Sequence, residues 1–342
     1  MTGATAVAGM PLLLGGLLDW VLDDVWGTVL DALSALTGVE MLSYPFMQRA
    51  YLAAVCIAVI GPLVGSFLVH REMAMIGDTL AHSAFAGVAV GLFVNATFAL
   101  SVPPLLTALV VAVVAAVLVQ LLVDRVGTYT DTSLAVVLTG AFAVGSVLVT
   151  ATDGGIAVGI NAYLFGSLAT VTRENVGILF AMTLLVTAVV ALAYRPLLYA
   201  TFDEVGARAA GLHVGRYNLL LVVLTAVVVV AAMQIMGVIL VAAMLVIPVA
   251  TAGGMRGFRR SVAAAVLAGL VATVSGATLS YVYDVAAGGS IVLVAIAVYA
   301  AVGAGRAARA PVVAAVRSRR TARTADGRPV EADGGDEPNG RD

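Results

Sequence analysis

MAMIGDTLAHSAFAGVAVGLFVNATFALSVPPLLTALVVAVVAAVLVQLLV, the stretch from Met73 to Val123, contains only two titratable side chains, Asp78 and His82. A hydrocarbon core about 30 Å thick takes roughly 20 apolar residues for one helical crossing, so this run is too long for a single pass. It must turn back near Ser101, Pro103 and Pro104, where proline cannot continue a helix. Two adjacent membrane helices are therefore expected here, the first of which carries an acid and a histidine inside it.

The rest of the chain reads the same way. Apolar runs extend from Ala50 to Val69, Thr132 to Thr152, Gly154 to Thr172, Asn175 to Tyr194, Tyr217 to Met255, Ser261 to Tyr283 and Val285 to Gly305. The run from Tyr217 is again too long for one helix and is expected to reverse between Gln234 and Gly237. Of the 342 residues, 61% are hydrophobic and 11% charged, and mean hydropathy is +1.06. A soluble domain carries roughly a quarter charged residues, so water is not the main solvent of this chain.

Short arginine-bearing loops mark the cytoplasmic side. The candidates are Arg71, Arg125, the connector Arg195 to Arg216, the group Arg256, Arg259 and Arg260, and the tail from Arg306. They alternate correctly, with the N-terminus outside and the C-terminus inside, if one apolar run enters and leaves by the same face. Ile156 to Thr170 is short enough to be that re-entrant segment. The expected fold is all-α, a polytopic transmembrane helix bundle of about nine crossings plus one re-entrant segment. Residues 1–46, with Trp20 and Trp26 beside Asp19, Asp23 and Asp24, suit a helix lying in the membrane interface. Residues 47–305 form the membrane domain, and residues 306–342, first arginine-rich and then acidic, are expected to be a disordered cytoplasmic tail.

Composition also excludes mechanisms. All 18 basic residues are arginine, so the chain has no Walker A lysine and no Schiff-base lysine. Any ATP that drives it is hydrolysed by another subunit. Cys56 is the one cysteine, which rules out an intramolecular disulfide and a thiolate cluster. Nothing in the chain calls for a permanently bound cofactor or a nucleic-acid partner.

Ionisable groups in hydrocarbon cost a few kcal/mol and persist where they face a cavity, a partner or a pathway. Asp78 and His82 are four apart and share one helix face. A carboxylate oxygen and an imidazole nitrogen so placed can converge on one cation, and the O/N donor set suits zinc, manganese or ferrous iron. The same spacing also allows a mutual pair, an Asp78 cap at the helix start after Gly77, or a proton relay. Two donors do not complete a metal site; others must come from water, other helices or carbonyls.

The segment MQRAYLAAVCIAVIGPLVGSFLVHREMAMIGDTLAHSAFAGVAVG, Met47 to Gly91, closely resembles the opening of the zinc/manganese-type metal ABC transporter permeases. YLFGSLATVTREN, Tyr163 to Asn175, is similar to that family's LFGS segment. FDEVGARAAGLHVGRYN, Phe202 to Asn218, resembles its cytoplasmic connector, and GVILVAAMLVIPVATA, Gly237 to Ala252, its proline-bearing helix. The resemblance spans roughly residues 45–305. It implies a homodimeric or paired permease, docked on an ABC ATPase subunit and fed by an extracytoplasmic metal-binding receptor protein in the cell membrane. It further implies that Asp78 and His82 are the metal-contacting residues of a GDxxxH-like motif. The chain departs from the common pattern at Ala81, where a serine often precedes the histidine, and at Phe85-Ala86, where leucine-proline is frequent.

Between Tyr194 and Tyr217, alanines interspersed with Asp203, Glu204, Arg208 and Arg216 can form a short exposed helix ended by Gly211. The resemblance identifies residues of about 200–215 as the coupling helix against the ATPase, with Asp203, Glu204, Ala209 and Gly211 as its coupling residues. His70 and His213 read as boundary residues. The functional expectation is the permease subunit of an ATP-driven importer of a divalent transition metal: zinc or manganese, or iron. The competing expectations are a proton-coupled secondary cation transporter and an ABC permease for a metal chelate or vitamin.

Overall fold

The computed structural model describes residues 25–98, 101–123, 129–151, 162–167 and 171–325. The N-terminal region enters as α1 (Thr28–Thr37) and a 3-10 turn over Glu40–Ser43. Ten residues of helix span about 15 Å, too short to cross a bilayer. The indole of Trp26 donates to the carbonyl of Gln48 at 2.9 Å, tying this region to the helix that follows. Trp20 and the acidic residues Asp19, Asp23 and Asp24 lie outside the described residues.

Nine long apolar segments then follow as helices: α2 (Pro45–His70), α3 (Ile76–Phe98), α4 (Pro104–Leu121), α5 (Thr130–Thr150), α6 (Arg173–Leu192), α9 (Val214–Met236), α10 (Val238–Ala252), α11 (Phe258–Tyr283) and α12 (Ala287–Ala325). Eight of them are long and apolar enough to cross a membrane, and α10, with 15 residues, is the shorter ninth. Between α6 and α9 lie two short helices, α7 (Tyr194–Phe202) and α8 (Glu204–Ala209). The expected re-entrant stretch Ile156–Thr170 falls largely outside the described residues; of it, 162–165 form one helical turn.

Both expected reversals occur. Proline stands at the start of α4, where its missing amide is no loss. α9 and α10 are separated by the single residue Gly237, whose φ of 78° is open to glycine and strained for any side chain. The two helices run in opposite directions. Asn218 near the start of α9 bonds Arg71 at the end of α2, whereas Val249 and Ala252 at the end of α10 pack with Val69 at that same end of α2.

α2 and α9 form the middle of the bundle, and α4, α5 and α6 are largely open on their outer faces. Close packing at the centre comes from small residues, as in other membrane bundles where lipid and leucine are equally apolar. A Cβ on Gly65 of α2 would stand 1.9 Å from the Leu245 carbonyl of α10, and one on Gly87 of α3 2.6 Å from the Ala108 Cα of α4. Pro248 in α10 removes the amide that would bond the Met244 carbonyl, and that oxygen faces Gly61 of α2.

One end of the bundle carries Arg71, Arg195, Arg208, Arg216, Arg256, Arg259 and Arg260, together with α7 and α8. By the positive-inside rule this is the cytoplasmic end. The other end gathers the start of α2, the end of α11 and the turn at Gly237, against which Gly166 is packed. The chain divides into two compact units, Met1–Tyr299 and Ala300–Asp342. The second begins inside α12, whose helix continues past position 306 to Ala325; the residues from 326 lie outside the description.

Candidate functional site

α3 supplies both titratable residues. It begins inside the bundle rather than at its rim: Gly77 lies against Ala242 and Leu245 of α10, and Leu245 is seven residues, or about 10 Å, from that helix's inner end. From Ile76 to Ala89 every residue is buried within the chain's own packing except Asp78 and His82. Thr79 and Ser83, on the closed faces, bond carbonyls one turn back, Thr79 Oγ1 to Met75 at 3.2 Å and Ser83 Oγ to Thr79 at 2.8 Å. The apolar residues around them seal against α4, α5, α9 and α10. The two titratable groups therefore share the single face that the chain leaves open.

His82 Nε2 lies 3.6 Å from Asp78 Oδ1, with the two side chains 22% and 35% exposed. That separation is too long for a hydrogen bond. Two donors held by one tetrahedral zinc ion stand about 3.4 Å apart, so the spacing is compatible with a shared cation as well as with an ion pair between the two side chains. Among the described residues the Asp78 carboxylate accepts no hydrogen bond from the first amides of α3, and the helix-cap reading has no support. The other imidazole nitrogen, His82 Nδ1, is buried and without a hydrogen-bond partner among the described residues.

A residue not singled out in the sequence completes the surroundings. Phe142 of α5 stands edge-on to the His82 ring at 5.3 Å and stacks on Phe85 at 5.7 Å. No periodicity connects Phe142 with His82; only the packing of α5 along α3 does. Among the described residues no third histidine, cysteine or carboxylate joins the pair.

The connector differs from a single expected helix. It breaks at Asp203, whose carboxylate accepts the Gly206 amide at 2.8 Å and caps α8. Glu204 pairs with Arg208 one turn on, at 2.5 Å, and Gly211, with φ of 81°, follows the end of the helix at Ala209 and Ala210. Ala207 packs inward, while Val205 is 80% exposed and Phe202 and Ala209 also face out. His213 is the exposed residue before α9, and His70 Nδ1 bonds the Ser66 carbonyl at 2.7 Å, so both histidines stand at the inner rim.

Residues 43–304 match the ABC 3 transport family. The chain is 34% identical over 264 residues to the manganese transport system membrane protein MntC of Halalkalibacterium halodurans, covering 76% of this chain and 87% of that protein. A manganese transport system membrane protein of Listeria monocytogenes is 28% identical, with 76% and 90% covered. Among solved structures, PsaBC from Streptococcus pneumoniae in complex with Fab superposes with a TM-score of 0.69 at 27% identity, covering 77% of this chain and 92% of that one. An apolar helix bundle with arginines gathered at one end, a family match over most of its length, and relatives that are membrane proteins of transport systems lead to one conclusion: the chain belongs to the ABC 3 transport family and is a multi-pass permease of the cell membrane, a transport subunit and not an enzyme.

Proposed function

We propose that this permease imports a divalent transition metal, manganese or zinc, and that Asp78 and His82 contact the ion as it passes. The observation that carries the reading is the exposure pattern of α3, in which only these two residues of its first four turns open outward. The manganese transport systems to which relatives of this chain belong supply the substrate class. O/N donors are shared by manganese and zinc, so the donor set accepts either ion.

A second copy of the chain completes the site. A carboxylate facing lipid from the middle of a span costs a few kcal/mol, so a face carrying Asp78 belongs against protein or water. Phe142 of α5, exposed beside His82, offers an apolar rim for that contact. The inner connector, with Asp203, Glu204, Ala209 and Gly211 around an exposed Val205, is the docking element for an ABC ATPase subunit. A metal-binding receptor delivers the ion to the opposite end.

The test is manganese and zinc uptake in cells lacking their other importers. Asp78→Ala together with His82→Ala is expected to abolish uptake with normal protein in the membrane. Uptake at the parent rate in that variant would remove the proposed pathway.

A further inference from the structure

The link between α2 and α3 is short and tightly held. Its Met73 amide bonds the Leu68 carbonyl at 2.9 Å and its Glu72 amide the Val69 carbonyl at 3.2 Å, the bonding pattern of a Schellman motif. The left-handed position of that motif, usually glycine, is Glu72 with φ of 59°. Such a closure fixes the direction in which the chain leaves α2, and five residues after Arg71 it begins the helix that carries Asp78 and His82.

Arg71, the last residue before that turn, ties the link to two other elements. Its Nε donates to Thr201 Oγ1 of α7 at 3.1 Å, and its Nη1 donates to Asn218 Oδ1 of α9. Its Nη2 is buried without a hydrogen-bond partner among the described residues. Burial pulls the guanidinium pKa down and the nearby Glu204 carboxylate, at the start of α8, opposes that shift. The fork of a guanidinium holds two acceptors in fixed directions, which a lysine ammonium does not. Beside it, the His70 ring meets Phe202 of α7 and Phe258 of α11 edge-on at 5.5 and 5.4 Å, a second fastening of the connector to the end of α2.

We propose that Arg71 is a positioning residue through which movement of the connector α7–α8 reaches the α2–α3 link and so resets the Asp78–His82 face. The inference rests on reading that face as the ion contact and the connector as the ATPase dock. A displacement of α7 carries Thr201; Thr201 and Asn218 hold the guanidinium between them; the Schellman turn passes the displacement on to α3 because it has no slack.

The complex of this chain with its ATPase subunit, reconstituted in vesicles with its receptor, tests the idea by manganese uptake and ATP hydrolysis measured together. Arg71→Ala is expected to leave hydrolysis within about twofold of the parent while uptake per ATP falls roughly tenfold, a size typical of coupling energies. Arg71→Lys should fall between the two. Thr201→Val removes one acceptor with little change of shape; it should lower uptake per ATP by itself and add little to Arg71→Ala. If Arg71→Ala does not assemble, Thr201→Val decides alone. Unchanged uptake per ATP, or hydrolysis and uptake falling in equal proportion, would overturn the proposal. The Asp78→Ala, His82→Ala complex runs in parallel: parent-level uptake there overturns the ion-contact reading and the proposal together, whereas a dead complex beside a fully coupled Arg71→Ala overturns the role of Arg71 alone.

Discussion

Two polar centres sit within about ten residues of one another, and they are finished to opposite degrees. Asp78 and His82 are open on one side, separated by more than a hydrogen bond and joined by no third donor among the described residues. Arg71 is closed in, with two side-chain acceptors from two other helices. A group meant to bind a passing ion has to be left short of partners, because every internal hydrogen bond would compete with the ion. A group meant to carry a displacement must be bonded to the elements it joins, because loose contacts transmit nothing. The two centres should therefore fail differently when altered: the first in transport, the second in stability and coupling.

The largest effect is expected at the open centre. Asp78→Asn keeps the shape and removes the charge, and should reduce manganese uptake by about a hundredfold, each tenfold corresponding to about 1.4 kcal/mol. The melting midpoint of the purified protein in detergent should stay unchanged, since no internal hydrogen bond is lost; a large drop would show that Asp78 is structural. At the closed centre, Asn218→Leu leaves a second guanidinium nitrogen unpaired and should cost about 2–4 kcal/mol of stability, read as a lower melting midpoint. An unchanged midpoint there would erase the contrast between the two centres.

Smaller effects refine it. Asp203→Ala removes the cap of α8 and should cost about 1 kcal/mol, visible as faster amide exchange confined to residues 204–209. Glu204→Gln breaks an exposed ion pair with Arg208 that is worth about 0.3–0.5 kcal/mol, so its effect on melting should be near the limit of measurement. Any effect of Glu204→Gln on ATP-driven uptake then reports docking or the carboxylate charge beside Arg71 rather than folding.

The bundle was legible because its signals are one-dimensional. Apolar length announces a crossing, and Pro103, Pro104 and Gly237 announce the reversals by backbone chemistry alone. The Asp78–His82 pair was legible for the same reason, since four residues on a helix define a face. Arg71 was read only as a marker of the cytoplasmic side. Its partners Thr201 and Asn218 lie 130 and 147 positions away, and no local pattern encodes that meeting. Phe142 escaped notice because a phenylalanine in an apolar run has no distinguishing neighbour. The break at Asp203 was hidden by alanines that favour one continuous helix; the carboxylate's bond to the Gly206 amide outweighs them.

The shortness of α10 has an electrical meaning. Fifteen helical residues measure about 22 Å, less than the hydrocarbon thickness of about 30 Å. At its inner end, Gly253, Gly254 and Gly257 border a cavity of about 440 Å³ that also touches His70 and Ser261, with room for water to wet the backbone there. Water standing in that cavity brings high-dielectric solvent to the inner end of α10 and thins the insulating layer there. The membrane voltage is concentrated over the thickness that remains insulating, at about 2.3 kcal/mol per charge for each 100 mV crossed.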